Sequence, residues 1–140
     1  MDINRSSFET GIPVIDRQHI AYIDMVERLI GQCKKGILDP GQIHSKVKEV
    51  VWYALEHFND EELLMRSANY PTYSRHLEKH NQFRSHLDGF LKLLKNEGID
   101  EDYGVVLTNW LVGWLEHHVQ EEDALLAAFL KVKKRKPWRP

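Results

Sequence analysis

Two histidines, His76 and His80, stand four residues apart in the stretch RHLEKHNQF (75–83). In a helix this spacing places both imidazoles on one face, and the positions that continue that face are apolar. Burying a polar side chain costs free energy unless it is hydrogen bonded or binds a metal. Similar faces occur in other segments of the chain. The candidate side chains are His19, His57, Glu61, His76, His80 and His118, with Asp123 or Glu122 close to the last of them.

The number of these side chains bears on their function. One histidine on an apolar face is more simply a core residue that is hydrogen bonded to a neighbour. Six or seven together favour a metal site, because imidazole and carboxylate are ligands of both iron and zinc. The stretch HLEKH is not the HExxH motif of zinc proteases, and the chain contains no phosphate-binding glycine loop.

Four helices are predicted to position these side chains. Gly36, Pro71 and Gly98 separate the segments, and Asp39 before Pro40 is typical of a helix start. Within the segments, apolar residues recur in steps of three and four, as on the inner face of a bundle helix. We expect helices over about 16–35, 40–66, 71–96 and 100–131. Because short connections make neighbouring helices antiparallel, the predicted fold is all-α, an up-down-up-down four-helix bundle.

This topology predicts that the candidates converge. The start of the first helix, the end of the second, the start of the third and the end of the fourth lie at one end of such a bundle. Every candidate side chain falls near one of these four points. At about 1.5 Å of rise per residue, they lie within a few helical turns of one level.

The spacing in the fourth helix leaves one choice open. His118 and Asp123 are five residues apart, which turns the two side chains about 140° away from each other on a regular helix. Glu122 has the regular spacing of four. The apolar pattern does not decide, because Leu125 and Leu126 continue the two alternatives equally well. A π-bulge would shift the register in favour of Asp123.

Four stretches resemble the hemerythrin family, and in particular its single-domain bacterial members. They are IDRQH (15–19), HFNDEE (57–62), HLEKH (76–80) and WLEHHVQEED (114–123). Their order and spacing match the family pattern over nearly the whole chain. One of these stretches alone would be weak evidence, whereas the set is specific.

The resemblance implies a non-haem di-iron centre. One iron would be held by His76, His80 and His118, and the other by His19 and His57. Glu61 and Asp123 would bridge the two irons, together with an oxo or hydroxo group; the family pattern thus selects Asp123 over Glu122. Dioxygen would bind reversibly at the vacant position of the two-histidine iron.

The implied function is that of an oxygen carrier, store or delivery protein, and not an enzyme. Five neutral imidazoles and two carboxylates carry less negative charge than the carboxylate-rich di-iron sites of other bundles, so we expect oxygen to be held rather than activated. The alternatives are a detoxification enzyme for nitric oxide or peroxide, an iron-storage or metal-sensing bundle, and a zinc-stabilised structural bundle.

Composition and charge bear on the partners and the cellular location of the protein. The net charge of −2 carries no nucleic-acid signal, no apolar run is long enough to span a membrane, and the N-terminal residues do not read as a signal peptide. We expect one cytoplasmic, monomeric domain over 1–140, with an N-terminal arm (1–15) and a basic C-terminal tail (132–140). An oxygen-using enzyme is an expected client. Cys33 is the one cysteine of the sequence, so no disulfide within the chain is possible.

The other notable side chains receive simpler predictions. His44, His86 and His117 are expected at the surface, and Glu62, Glu116 and Glu121 in solvent. The wall of an oxygen pocket is predicted from Tyr22, Phe58, Trp110, Trp114 and Leu115.

Overall fold

A computed structural model describes residues 3–97 and 101–135, with side chains described over 3–92 and 105–133. Within these residues the chain is helical and contains no strand. The predicted helix boundary at Gly98 and Asp100, and residues 136–140 of the basic tail, lie outside them. The helices are α1 (Pro13–Lys34), α2 (Pro40–Ser67), α3 (Tyr73–Glu97), α4 (Glu101–His118) and α5 (Ala124–Arg135).

Two further helical elements flank these helices. A 3₁₀ helix (Arg5–Phe8) precedes α1, and a π-helical turn (Val119–Asp123) joins α4 to α5. The segment α4–π–α5 is therefore the fourth rod of the bundle. This rod continues to Arg135, four residues past its predicted end near 131, because no proline or glycine interrupts the sequence before Pro137.

The start of α2 follows the predicted signals. The Asp39 side chain accepts a hydrogen bond from the backbone N–H of Gln42 at 2.8 Å, and the Gln42 side chain accepts one from the backbone N–H of Asp39 at 2.9 Å. This reciprocal capping box satisfies two backbone donors that a helix start leaves free. Pro40 takes the first helical position, where its missing N–H costs nothing.

The predicted all-α four-helix bundle is confirmed. Helix α1 packs against α2 and α4, and α2 packs against α3 and α4. Phe83 joins α3 to α4 through ring contacts with Trp110 and Trp114, at centroid distances of 5.5 and 4.5 Å. In the described parts of the chain, no helix is long and apolar enough to cross a membrane.

The apolar core is divided into two clusters. The larger fills most of the bundle and includes Val26, Val47, Phe83 and Leu111. The smaller, at the end where α2 turns into α3, consists of the buried residues Ile15, Met65, Tyr70 and Leu126. Between them lies a buried layer of histidine, glutamate and aspartate. The helices therefore enclose the candidate side chains with apolar packing on both sides.

The capping box yields a first test. Asp39→Ala removes the side-chain acceptor for Gln42 N–H, so it should lower the free energy of unfolding by about 1 kcal/mol. Urea denaturation of the metal-free protein measures this change. Asp39→Asn, which keeps an oxygen at the cap, is the matched control and should lose much less. Equal losses in the two variants would contradict this role of the cap.

Candidate metal centre

The seven predicted side chains all lie in the polar layer of the bundle. Each is at most 5% exposed, and His80 and Asp123 are fully buried. They come from all four rods of the bundle. These side chains are His19 on α1, His57 and Glu61 on α2, His76 and His80 on α3, and His118 and Asp123 on the fourth rod. The predicted convergence in space is therefore present. The donor atoms form two groups, each with all its members within 4.8 Å of one another.

The first group contains three imidazoles. The Nε2 atom of His118 lies 3.1 Å from Nε2 of both His76 and His80. Glu61 Oε1 is 2.6 Å from His76 Nε2 and 3.2 Å from His80 Nε2. Asp123 Oδ1 is 3.1 Å from His76 Nε2 and 3.2 Å from His118 Nε2. Three nitrogens and two oxygens thus point to one centre.

The second group contains two imidazoles and the same two carboxylates. His19 Nε2 lies 3.1 Å from Asp123 Oδ2, and His57 Nε2 lies 3.3 Å from Glu61 Oε2. Each carboxylate therefore directs one oxygen to the first group and its other oxygen to the second. This is the arrangement required of a carboxylate that bridges two cations.

The donor atoms fit a metal better than they fit one another. Among the described residues, His19 Nε2, His57 Nε2, Glu61 Oε2 and both carboxylate oxygens of Asp123 are buried and make no hydrogen bond, although each has a neighbour within 3.3 Å. Such unsatisfied groups are rare in folded proteins. Imidazole bonds to zinc at about 2.1 Å, so two ligands at right angles would lie about 3 Å apart. Most of the nitrogen–oxygen spacings, at 3.1–3.3 Å, match that value, while two contacts of Glu61 Oε1 differ from it, at 2.6 Å to His76 and 3.7 Å to His118.

The π-helical turn brings the carboxylate of Asp123, and not that of Glu122, into the two donor groups. It occupies Val119–Asp123, directly after His118, and a wider turn brings residues five apart onto the same face. The Asp123 side chain consequently faces the cluster. Glu122 is also buried, but its carboxylate is hydrogen bonded to Arg75 at 3.0 Å, and neither donor group contains it.

Three of the five imidazoles are oriented by a second hydrogen bond. His19 Nδ1 donates to the backbone carbonyl of Phe8 at 2.9 Å, and His57 Nδ1 donates to Gln18 Oε1 at 2.6 Å. His80 Nδ1 lies 2.6 Å from Glu62 Oε2. Metal-bound histidines commonly have such partners, which leave the other ring nitrogen free to bind the metal.

The prediction that Glu62 lies in solvent is wrong. Its side chain is 10% exposed and also accepts a hydrogen bond from Arg84 at 2.7 Å. Burial opposes its charge, but the hydrogen bonds from His80 and Arg84 outweigh burial and lower the pKa of Glu62. The carboxylate therefore stays ionised near neutral pH.

The N-terminal arm supports the His19 contact. Thr10 donates its backbone N–H and its hydroxyl to Asp16 Oδ1 at 2.7 and 2.6 Å, and the carbonyl of Thr10 accepts a hydrogen bond from Lys131 at 2.6 Å. These contacts tie the segment between the 3₁₀ helix and α1 to the bundle. The carbonyl of Phe8 is held in place as a result, and the Phe8 side chain is buried in the core.

A small cavity of about 10 Å³ lies against the second donor group. Its walls are Gln18, His19, Tyr22, Ala54, His57, Phe58, Phe83, Trp114 and Leu115. Four of the five predicted wall residues are therefore present. Trp110 is not among the lining residues; its ring stacks on Phe83, with centroids 5.5 Å apart. Phe83 and Ala54 were not predicted as wall residues.

The remaining histidines and acidic residues lie outside the polar layer. His86 and His117 are exposed, and His117 is paired with the exposed Glu121 at 3.0 Å. His44 and Glu116 are half-buried and belong to neither donor group. None of these five side chains competes with the seven candidates for the centre.

In the metal-free layer, the carboxylates and imidazoles shift each other's pKa values toward the charged forms. Burial would raise the pKa of Glu61, but contacts from His118 and the other imidazoles hold it well below its usual range. Burial and Glu61 would raise the pKa of Asp123, yet His118 and His19 lower it. Burial would lower the pKa of His76 and of His118, but the two carboxylates raise them to about 9 and about 10.

Comparison with known proteins supports the same interpretation. The family model described as "Hemerythrin HHE cation binding domain" matches residues 10–130. This chain belongs to the hemerythrin family. The matched range contains all seven candidate side chains, so the hemerythrin domain and the buried cluster coincide.

Several hemerythrin relatives resemble the chain over most of its length. A protein named bacteriohemerythrin from Pseudomonas paraeruginosa is 31% identical over 120 residues, which span 86% of this chain and 75% of the relative. A bacteriohemerythrin from Stenotrophomonas maltophilia is 31% identical over 123 residues, and covers 86% of this chain and 76% of the relative. A crystal structure of wild-type hemerythrin superposes with a TM-score of 0.79 at 23% identity, and covers 93% of this chain and 97% of that one.

Family membership and the buried cluster together support a metal-binding, non-haem di-iron protein. The solved structure, at its low identity, supports the fold alone.

The raised histidine pKa values predict how the stability of the metal-free protein depends on pH. Unfolded imidazoles release their protons near pH 6.5, whereas folded His76 and His118 hold theirs to about 9 and about 10. The folded state then binds more protons, so the free energy of unfolding should fall as pH rises from about 6.5 to 10. The lowered pKa values of Glu61 and Asp123 should remove stability below about pH 4.

Chemical denaturation of chelator-treated protein at a series of pH values measures both the alkaline and the acidic loss of stability. Asp123→Asn removes a carboxylate that holds protons on the imidazoles, so its alkaline decline should be smaller. A stability that rises between pH 7 and 10 would contradict the assigned charges.

Proposed function

We propose that this hemerythrin-family protein binds dioxygen reversibly at a non-haem di-iron centre, as a carrier, store or delivery protein. The observation that supports this most is the cavity beside His19 and His57. Its volume of about 10 Å³ suits one water-sized molecule and is too small for an organic substrate. Six of its nine lining residues are aromatic or aliphatic, which suits an apolar diatomic ligand.

We assign the ligands from the two donor groups. His76, His80 and His118 would hold one iron, and His19 and His57 the other. Glu61 and Asp123 would bridge them, with an oxo or hydroxo group as the third bridge. The assignment is supported by the split of each carboxylate between the groups and by the unsatisfied donors.

When bound, the two irons supply the electrons that reversible dioxygen binding requires. The protein supplies the surroundings. Tyr22, Phe58 and Trp114 form apolar walls against the two-histidine side, so they restrict access of water. Burial raises the pKa of Tyr22, which keeps its phenol neutral in that wall. Gln18 orients His57 through its amide oxygen, and its own amide nitrogen is fixed by Asp60 at 2.9 Å.

A second candidate function uses the same centre. The cavity would also admit nitric oxide or peroxide, which favours a detoxification enzyme over a storage or structural bundle as the runner-up. No general acid or base other than the ligands and Tyr22 lines the cavity among the described residues, and this favours binding over turnover.

Metal analysis and optical spectra test the proposal. Protein loaded anaerobically with Fe²⁺ should contain two irons per chain. Exposure to air should produce a charge-transfer band that disappears under vacuum and returns with air. A band that decays irreversibly while nitric oxide or peroxide is consumed would instead support the enzyme. Protein that retains zinc and shows no redox response would contradict both.

The ligand assignment predicts different effects for two adjacent variants. Asp123→Asn removes an oxygen donor shared by both groups, so it should lower the metal content from two ions to one or none. Glu122→Gln alters the neighbouring buried carboxylate, which contacts Arg75 instead, and should retain two. Iron content after gel filtration measures this. Full occupancy in Asp123→Asn would contradict the assignment.

The cavity predicts a variant that separates metal binding from oxygen binding. Ala54→Leu adds apolar volume to the cavity wall and should lower dioxygen affinity at least about tenfold while both irons stay bound. Ala128→Leu is the matched control, since Ala128 is exposed on α5. Oxygen titration followed optically, alongside iron analysis, measures the effect. Unchanged affinity in Ala54→Leu would place the oxygen site elsewhere.

The expected cytoplasmic location, monomeric state, client enzyme and domain limits stay predictions from the sequence. Size-exclusion chromatography with light scattering tests the monomer directly. Pull-down with and without residues 132–140 tests whether the basic tail contributes to a client interaction.

A further inference from the structure

The partners of the ligand imidazoles differ in charge between the two halves of the centre. His19 and His57 donate to neutral oxygens, the Phe8 carbonyl and the Gln18 amide. His80 instead has the Glu62 carboxylate, at 2.6 Å. The Nδ1 atoms of His76 and His118 have no hydrogen-bond partner within the described residues. Among the described residues, a charged hydrogen-bond acceptor for a ligand imidazole, the Glu62 carboxylate, is therefore found only on the three-histidine half.

We propose that Glu62 and Arg84 form a charge pair that positions His80 and sets the electron density of the three-histidine half. The inference rests on the proposed function in taking His80 as a ligand of a redox-active iron. Glu62 and Arg84 are positioning residues, since neither side chain belongs to a donor group.

Geometry fixes the proton of His80. An ionised carboxylate only accepts hydrogen bonds, so the proton between Glu62 and His80 lies on His80 Nδ1, and a metal-bound His80 would use Nε2. The ring is also stacked on Phe58, with centroids 4.1 Å apart and planes 20° from parallel. A charged acceptor on the far side of a metal-bound imidazole makes that imidazole a stronger donor.

Arg84 limits this effect. It donates to Glu62 Oε2 at 2.7 Å, which is the same oxygen that His80 contacts. Arg84 is itself held by Asn81 at 3.0 Å and Asn59 at 3.2 Å, and its guanidinium lies 5.8 Å from the centre of the Phe58 ring. Its positive charge draws electron density away from Glu62, so it weakens the donation to His80.

The pair therefore predicts opposite effects for two substitutions. Glu62→Gln keeps an oxygen acceptor for His80 but removes the negative charge, so the imidazole becomes a weaker donor and the ferric state is less stabilised. The reduction potential should rise. Arg84→Met removes the opposing positive charge and leaves Glu62 in place, so the potential should fall.

Glu122→Gln is a closely matched control. Glu62 follows the carboxylate of Glu61 in sequence, and Glu122 precedes that of Asp123. Both are buried and paired with an arginine, but Glu122 contacts Arg75 and no ligand imidazole. A shift in Glu62→Gln beyond that of Glu122→Gln therefore measures the contact with His80.

The experiment uses the full chain with Fe²⁺ as the probe. Under anaerobic conditions, competition with a chelator should show that Glu62→Gln binds one of its two irons about 10- to 100-fold more weakly, while Glu122→Gln matches the wild type. Redox titration of the iron-loaded proteins follows, in which each ferric iron takes one electron from an added reductant and no protein bond breaks. The Glu62→Gln potential should be higher, and the Arg84→Met potential lower, than that of the wild type.

The outcomes separate this inference from the proposed function. Shifts of the same sign in Glu62→Gln and Arg84→Met would indicate a purely structural role and overturn it. Equal behaviour of Glu62→Gln and Glu122→Gln would also overturn it, while wild-type protein with two irons and reversible oxygen binding would leave the proposed function intact. Wild-type protein that binds no iron would overturn both.

Discussion

Two carboxylates and five imidazoles buried at one level of an apolar bundle are the constraint on which the rest of the structure depends. Unpaired buried charge is far more costly than surface charge, and a buried polar group needs a partner or a cation. Glu61 and Asp123 meet this need in an unusual way, because each directs its two oxygens to different groups of imidazoles. Removing one carboxylate would leave both groups incomplete, so the two halves form a single unit.

The irregular parts of the chain are best understood as means of satisfying this layer. The π-helical turn places the Asp123 carboxylate on the face of His118. The N-terminal arm, which precedes the bundle, supplies a backbone carbonyl to His19. Gln18 extends from α1 to α2 and orients His57. Each feature costs conformational freedom or helix regularity, and each ends at a side chain of the layer.

Local spacing alone predicted the helices and six of the seven side chains of the layer, all except Asp123. Residues four apart share a helix face whatever the neighbouring helix is, so the pairs His57/Glu61 and His76/His80 could be read directly. The choice between Asp123 and Glu122 needed the resemblance, since a regular helix favours Glu122 and a π turn has no simple sequence signal. The partners of the imidazoles were not predictable from spacing, because they depend on neighbours in space. Glu62 looks like a surface residue until α3 supplies His80 and Arg84 beside it.

The asymmetry between the two halves follows from which neighbours each helix faces. On the cavity side, neutral acceptors and apolar walls leave the electrostatic surroundings of His19 and His57 weakly charged. On the opposite side, the negatively charged Glu62 contacts the outer nitrogen of the His80 imidazole, and Arg84 partly balances this charge. A ligand in the cavity would thus meet the less electron-rich half, while the electron-rich half lies behind the shared carboxylates. Because Glu61 and Asp123 contact both halves, a change in charge at Glu62 would act on the cavity side through these two carboxylates, without any residue of the cavity wall moving.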